Sequence, residues 1–340
     1  YRGISIPDSS SIKEKAVWEY LEKSGHKVVV HGVPPGYPPR RVNGTWVSCF
    51  LTPPQSPYAY PSDLEREIED RVGGRPLFDV EFRKANRKHL FEQILELTRQ
   101  QFSLLHFVLS RQPWDFGMFV NIGPDRLHHT FWKYFDTGHW GYKKDNPFEK
   151  NIPRYYEFLD DCLRALFDVL PPDTVTMIVS DHGVKRMKGC FCINEWLFRE
   201  GFLKLKKYPK DIRSIEKCDV DWEKTTAWGW GGYYARIFIN LKGRDPFGSV
   251  PKKNYERFRQ DLSKRLESLR GPDGKVWNTK ILLSDKTWKG APPDIMVYFD
   301  DLFYRSAGTL GHKTMYLKDN DTGPDDAVHA RDGMFLINGP

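Results

Sequence analysis

Short apolar runs alternate with longer amphipathic stretches along the first half of the chain, and this spacing predicts an alternation of helices and strands. "HKVVVHGVPP" is a β-branched run that leads into a turn-rich loop and reads as a strand. Ahead of it, Ser11 and Glu14 have the spacing of a capping box before an amphipathic helix that ends near Gly25. Ser62 and Glu65 open another short helix, and helical periodicity runs from about Ala85 to Gln112. "WDFGMFVNIG" reads as a buried strand. "IPRYYEFLDDCLRALFDVLPP" reads as an amphipathic helix that feeds a second buried strand in "TVTMIVSDHGV". Helix, strand, helix, strand in this order predicts an α/β fold, a doubly wound, mostly parallel sheet flanked by helices.

Beyond residue 185 the alternation loosens into "INEWLFREGFLKLKK", a charged stretch and the Gly- and Trp-rich "AWGWGGYYARIFINL". A helix from about Lys252 to Leu269 and the strands "TKILLS" and "PDIMVYF" follow. The expected organisation is an α/β core over 1–185, an inserted smaller or lid-like subdomain over 186–275, and a return to the core over 276–340. The segments "PPGYPPRRVNG" and "FLTPPQSPYAYP" read as proline-rich loops packed on the surface by their aromatics.

Composition narrows the classes. The 340 residues are 39% hydrophobic and 14% aromatic, enough for a large core, yet no apolar run is long enough to cross a bilayer. The net charge of +7 is interleaved rather than massed, which suits a small anionic substrate and argues against a stable nucleic-acid partner. Five irregularly spaced cysteines describe no disulfide framework and lead to the expectation of a reducing, cytoplasmic location. Cys190-Phe191-Cys192 is too tight for a zinc knuckle and reads as packing. The opening "YRGISIPDSS" has neither an initiator Met nor the regions of a signal peptide, so the chain reads as a fragment that enters a βαβ unit after its first strand.

Two Asp/His pairs stand at strand ends, where open α/β sheets bind ligands. Asp125 and His129 are four apart in "PDRLHHTFWKYFD", after Pro124, a natural first-turn residue; on a helix they share a face, and His128 points elsewhere. Asp181 and His182 follow the "TVTMIV" run, with Gly183 permitting a turn. Either pair alone is an ordinary helix start or turn. Both together, each after its own strand, point to divalent metal. "GTLGHKT" lacks the spacing of a phosphate loop.

"SDHG", "DRLHH" before "FWKYFD", and the late "HARDGMFLINGP", taken in order with "VNGTWVSCFLTPP" and "INEWLFREGFL", resemble the alkaline phosphatase superfamily in its type I phosphodiesterase/nucleotide pyrophosphatase branch. The resemblance implies a phosphoric ester hydrolase with two divalent ions, usually zinc, with manganese or magnesium as alternatives. Carried over by position, Asp181 and His182 hold the first ion, and Asp125, His129 and His329 the second. His312 in "LGHKTMYL" rivals His329, which is preferred because "DGMFLINGP" matches the family's strand after that ligand; His312 and His139 read as loop residues.

The resemblance also implies a metal-binding Asp and a Thr or Ser nucleophile, both expected before Tyr1, and a final helix after "INGP". The expected chemistry is in-line attack on phosphorus through a covalent phospho-enzyme, and the fragment alone is expected to be inactive. Lys185, Arg186 and Lys188 would steer an anion, and Lys185 is the weak substrate-binding candidate among them, against the alternative of a solvated charged loop. Trp230, with Trp228, Tyr233 and Tyr234 beside it, would stack on a leaving group, against the alternative of core packing. The alternatives in function are a phosphomonoesterase, a phosphoglycerate-mutase-like or sulfatase-like member, or a non-catalytic metal-binding remnant.

Overall fold

A computed structural model describes residues 6–83, 86–285, 287 and 290–340, and the architecture is mixed α/β. Its contacts divide into two compact units. One is made of residues 6–135 with Lys144–Met177 and the last residues; the other is made of Asp136–Lys143 and Ile178–Leu336.

In the first unit, helix α1 (Val17–Lys23) leads to strand β1 (Val28–His31), which pairs parallel with β2 (Gly44–Val47). β3 (Ala59–Tyr60) adds antiparallel to β2, and after α2 (Leu64–Val72) and α3 (Arg87–Arg111) the strand β4 (Phe116–Phe119) pairs parallel with the other edge of β1. Successive side chains of a strand point to opposite faces. Val28 and Val30 therefore pack with Trp46 against Trp18 and Leu21 of α1, while Val29 packs against Leu64 and Ile68 of α2 and Leu104, Leu105 and Val108 of α3. Helices cover both faces of this sheet, three of whose four strands are parallel. A further cluster joins α3 to α4 (Gly123–Phe135) and α5 (Asn151–Phe167) through Ile94, Leu97, Leu127, Phe131, Ile152 and Tyr155.

Several expectations are corrected here. Ser11 caps no long helix: Asp8 caps a single 3-10 turn over Ser9–Ser11, and α1 starts only at Val17, where the Glu19 carboxylate accepts from the Ala16 N–H at 2.8 Å. The short helix expected at Ser62 and Glu65 is α2, and the Glu65 carboxylate accepts from the N–H groups of Tyr58 and Ala59, at 2.6 and 3.1 Å, which ties β3 to α2. The expected start of α3 at Ala85 lies outside the described residues. β4 is half exposed, because among the described residues it pairs only with β1 and stands at the sheet edge.

The run before Asp181-His182 is β5 (Thr176–Val179), and it is not buried. Among the described residues it pairs only with the late strand Phe335–Asn338 and joins neither four-stranded sheet, so Met177 and Val179 are 59% and 58% exposed. β-branched, apolar composition announces a strand but not how many neighbours will cover it.

In the second unit, β6 (Gly183–Arg186) and β7 (Gly189–Cys192) precede α6 (Ile193–Arg199) and the short hairpin of β8 (Leu205–Lys207) and β9 (Asp219–Val220). β10 (Ala227–Trp230), β11 (Ala235–Ile239), β12 (Lys280–Leu283) and β13 (Ile295–Tyr298) form an antiparallel sheet in the order β10-β11-β13-β12, with α7 (Tyr255–Glu267) contributing Leu262 and Leu266 to its core. β14 (Tyr304–Ala307) and β15 (Tyr316–Leu317) flank β7, β16 (Ala327–Ala330) pairs antiparallel with β6, and β17 is Phe335–Asn338. Strands β12 to β16 fall in the unit that holds residues Ile178–Leu336. Cys190 and Cys192, two apart on β7, face Ala307 and Leu317, and burial pushes the Cys192 thiol up to about 12. No described helix is long and apolar enough to cross a membrane.

Candidate metal centre

Helix α4 presents the first pair. The Asn121 side chain accepts from the Gly123 N–H at 2.7 Å, which closes the helix start, and Asp125 then sits in the first turn, where the helix dipole favours a carboxylate. One turn on, His129 directs its Nε2 to within 3.2 Å of Asp125 Oδ1, with the imidazole almost fully buried. Arg126 steadies the carboxylate: its Nη1 donates to Asp125 Oδ2 at 2.6 Å, while Nε and Nη2 clamp Asp79 at 2.6 and 2.8 Å. The guanidinium lies over Phe82 at 4.6 Å. Asp79 and Arg126 were not among the sequence candidates. The one available signal was an arginine beside the ligand-type aspartate. His128 turns away to Tyr156, 2.8 Å from its hydroxyl.

The second unit carries Asp181 and His182. The His182 Nδ1 lies 3.0 Å from the Gly183 carbonyl, which can only accept; Nδ1 is therefore the protonated nitrogen and Nε2 presents its lone pair. That Nε2 stands 3.6 Å from Asp181 Oδ2, and the Asp181 side chain is 89% exposed. Gly183 serves differently from the sequence reading. Its φ is not left-handed, but a Cβ there would lie 2.1 Å from the Asp332 carbonyl oxygen. Gly183→Ala is accordingly expected to push the 331–333 turn away and lower the thermal midpoint by several degrees, which differential scanning would show.

In the β6/β16 ladder His329 lies opposite Val184, diagonal to His182 on the same face. The two imidazoles stack with centroids 3.5 Å apart and planes 13° from parallel. Tyr233 stacks on His329 at 3.9 Å.

The remaining candidates have partners of their own. Lys185 pairs with Asp301 at 3.1 Å and lies over Phe303, and Lys188 pairs with Asp300. Arg186 pairs with Asp136 at 2.8 Å. Trp228 is buried on Phe238, and Trp230 stands edge-on to Trp228 at 5.9 Å, half-buried against the same core. His312 Nε2 is bonded to Thr309 within its own loop, and His139 Nδ1 accepts from the Gly141 N–H.

The donor chemistry fits a divalent ion. A tetrahedral ion with bonds of roughly 2.0–2.1 Å separates its donors by about 3.4 Å. The oxygen–nitrogen spacings of 3.2 Å in Asp125/His129 and 3.6 Å in Asp181/His182 bracket that value.

The amino-acid sequence matches the profile of the type I phosphodiesterase / nucleotide pyrophosphatase family over residues 4–325. The chain belongs to that family. Members of this family are phosphoric ester hydrolases by description, and the match spans both Asp/His pairs while His329 lies just beyond it. Among curated proteins no match is found. Solved structures similar to this family member include human ectonucleotide pyrophosphatase / phosphodiesterase 5, at 13% identity and TM-score 0.43, covering 96% of this chain and 63% of that one. The murine counterpart is similar at 12% identity and TM-score 0.40, covering 96% and 64%; an inactive form of it in complex with AMP gives 12% and 0.41, covering 96% and 63%. The chain thus spans less than two thirds of the length of these structures.

Proposed function

We propose that the protein hydrolyses phosphoric esters, preferring phosphodiesters and pyrophosphates to monoesters, with two divalent ions as cofactors. Asp181 and His182 hold the first ion; Asp125, His129 and His329 hold the second. The observation that carries this reading is the family match extending across two carboxylate–imidazole pairs whose donor spacings suit a metal ion. The assignment of His329 rests on its place in the sequence, ahead of "DGMFLINGP". Mixed nitrogen and oxygen donors favour zinc over magnesium.

When bound, such ions lower the pKa of an attacking hydroxyl and neutralise charge on the leaving oxygen. The chain's own residues orient the donors. The Gly183 carbonyl fixes the His182 tautomer, and Arg126 holds one oxygen of Asp125 so that the other faces His129. Secondary contacts of this kind set ligand direction and basicity.

The test is hydrolysis by the intact protein of bis-p-nitrophenyl phosphate against p-nitrophenyl phosphate, with and without chelator. The expected result is a kcat/KM at least about tenfold higher on the diester, worth about 1.4 kcal/mol, and loss of both activities on chelation. Comparable rates on the two esters would overturn the diester preference, and chelator-resistant turnover would overturn the metal mechanism.

A further inference from the structure

Tyr233 sits in "WGWGGYYARIF", where sequence alone suggests a platform for a substrate's ring. Its surroundings assign it another task. The Arg305 guanidinium lies over the Tyr233 ring at 4.0 Å, and the His329 imidazole stacks on it at 3.9 Å. Two groups centred so close to one ring cannot share a face, so both faces of Tyr233 are taken. By the same reasoning His329 is held between Tyr233 and His182. The four groups form one pile in the order Arg305, Tyr233, His329, His182.

The pile is anchored at its far end and along its side. Arg305 is buried and ion-paired with the fully buried Asp325. Gly231 and Gly232 bring the chain before Tyr233 against β14, where the Gly232 N–H donates to the Ser306 carbonyl at 2.8 Å and the Ser306 N–H returns the bond at 2.9 Å. A Cβ on Gly231 would lie 2.4 Å from the Ser306 oxygen, so only glycine allows this approach. Tyr233 is thus fixed by its backbone and by a cation on its outer face.

Resting on the reading of His329 as a metal ligand, we infer that Tyr233 is a positioning residue for that imidazole, with Arg305 and Asp325 holding Tyr233 in place. The lone pair of a ring nitrogen lies in the ring plane, so it can meet an ion only if the plane is correctly set. A ring clamped on both faces keeps its plane while still turning its edge outward. The loss of one face frees rotation about the side-chain bonds, and the ligand must then be ordered anew at each binding event.

Two variants and one spectrum test this. Cobalt titration of the intact protein, followed by visible absorption, reads the two ions. Tyr233→Phe keeps the flat face and is expected to hold both affinities within about twofold. Tyr233→Leu, which keeps an apolar side chain without a ring, is expected to weaken one ion by about 10- to 100-fold and leave the other unchanged. In the metal-free wild-type protein the His329 ring protons are expected upfield of an unstacked imidazole, under the ring current of Tyr233, and this shift is expected to persist in Tyr233→Phe. Unchanged affinities in Tyr233→Leu, or unstacked proton shifts in the wild type, would overturn the inference. If His329→Ala itself keeps both ions, the failure lies in the ligand assignment instead, and the ring-current result still decides whether Tyr233 orients that ring.

Discussion

Replacement of His329 by Ala is expected to leave the intact protein with one divalent ion, against two expected in the wild type. Metal analysis after dialysis reads the result directly. His329 stands on β16, while Asp181 and His182 precede β6, and the variant removes an imidazole without touching either backbone. Asp181, His182 and the tautomer-fixing contact to Gly183 remain, so the first ion is retained. The second loses one of its three proposed donors, and a site reduced to Asp125 and His129 is expected to release its ion on dialysis. Hydrolysis of the diester is expected to fall by several orders of magnitude, because charge on the leaving oxygen is then met by one ion instead of two. Two ions retained by His329→Ala would sink the assignment and return His312 to consideration.

The other large effect concerns His31 at the end of β1. Its ring is fully buried, edge-on to Phe119 at 5.3 Å, and Nδ1 has no hydrogen-bond partner among the described residues. Burial pushes its pKa down to about 4. The folded state therefore keeps His31 neutral while the unfolded chain takes up a proton near the ordinary imidazole value of about 6.5. The sign follows from linkage: the stabilisation is complete above pH 6.5, declines as pH falls below it, and is gone below about pH 4. The interval from 6.5 to 4, at about 1.4 kcal/mol per pH unit, amounts to about 3.5 kcal/mol. Urea unfolding at pH 7.5 and 4.5 is expected to show His31→Leu losing about 2–3 kcal/mol less than wild type between the two conditions. Equal losses would show that His31 is not the group responsible.

Much of the element order was legible in the sequence. Val28–His31, Asn151–Phe167, Lys280–Leu283 and Ile295–Tyr298 lie where apolar periodicity predicts strand or helix, since this signal records a local requirement to bury one face. What failed was everything set by a distant partner. Ser11 carries the right chemistry for a cap, but it ends up in a 3-10 turn. The apolar run before Asp181 announces a strand, and only the pairing decides that it is exposed.

The candidate site divides along the same line. The i,i+4 spacing of Asp125 and His129 is a helical fact and could be read directly, and the two side chains do meet. The stacking of His182 on His329 depends on the register of strands more than 140 residues apart, and the clamp of Arg126 on Asp79 on a loop 47 residues away. Tyr233 was visible as an aromatic beside glycines, but its neighbours on either face were not.

The β6/β16 ladder that brings His182 and His329 together is four residue pairs long and, among the described residues, belongs to no larger sheet. Ladders of this size open far more often than a core does, so amide protons of Gly183–Arg186 and Ala327–Ala330 would exchange with solvent through local opening, ahead of those in β1 or β11. Each opening separates the two imidazoles. The juxtaposition of the rings is therefore an intermittent property, kept by the closed fraction of a short ribbon, and any group that grips both strands would lengthen its closed lifetime without altering the stability of the cores.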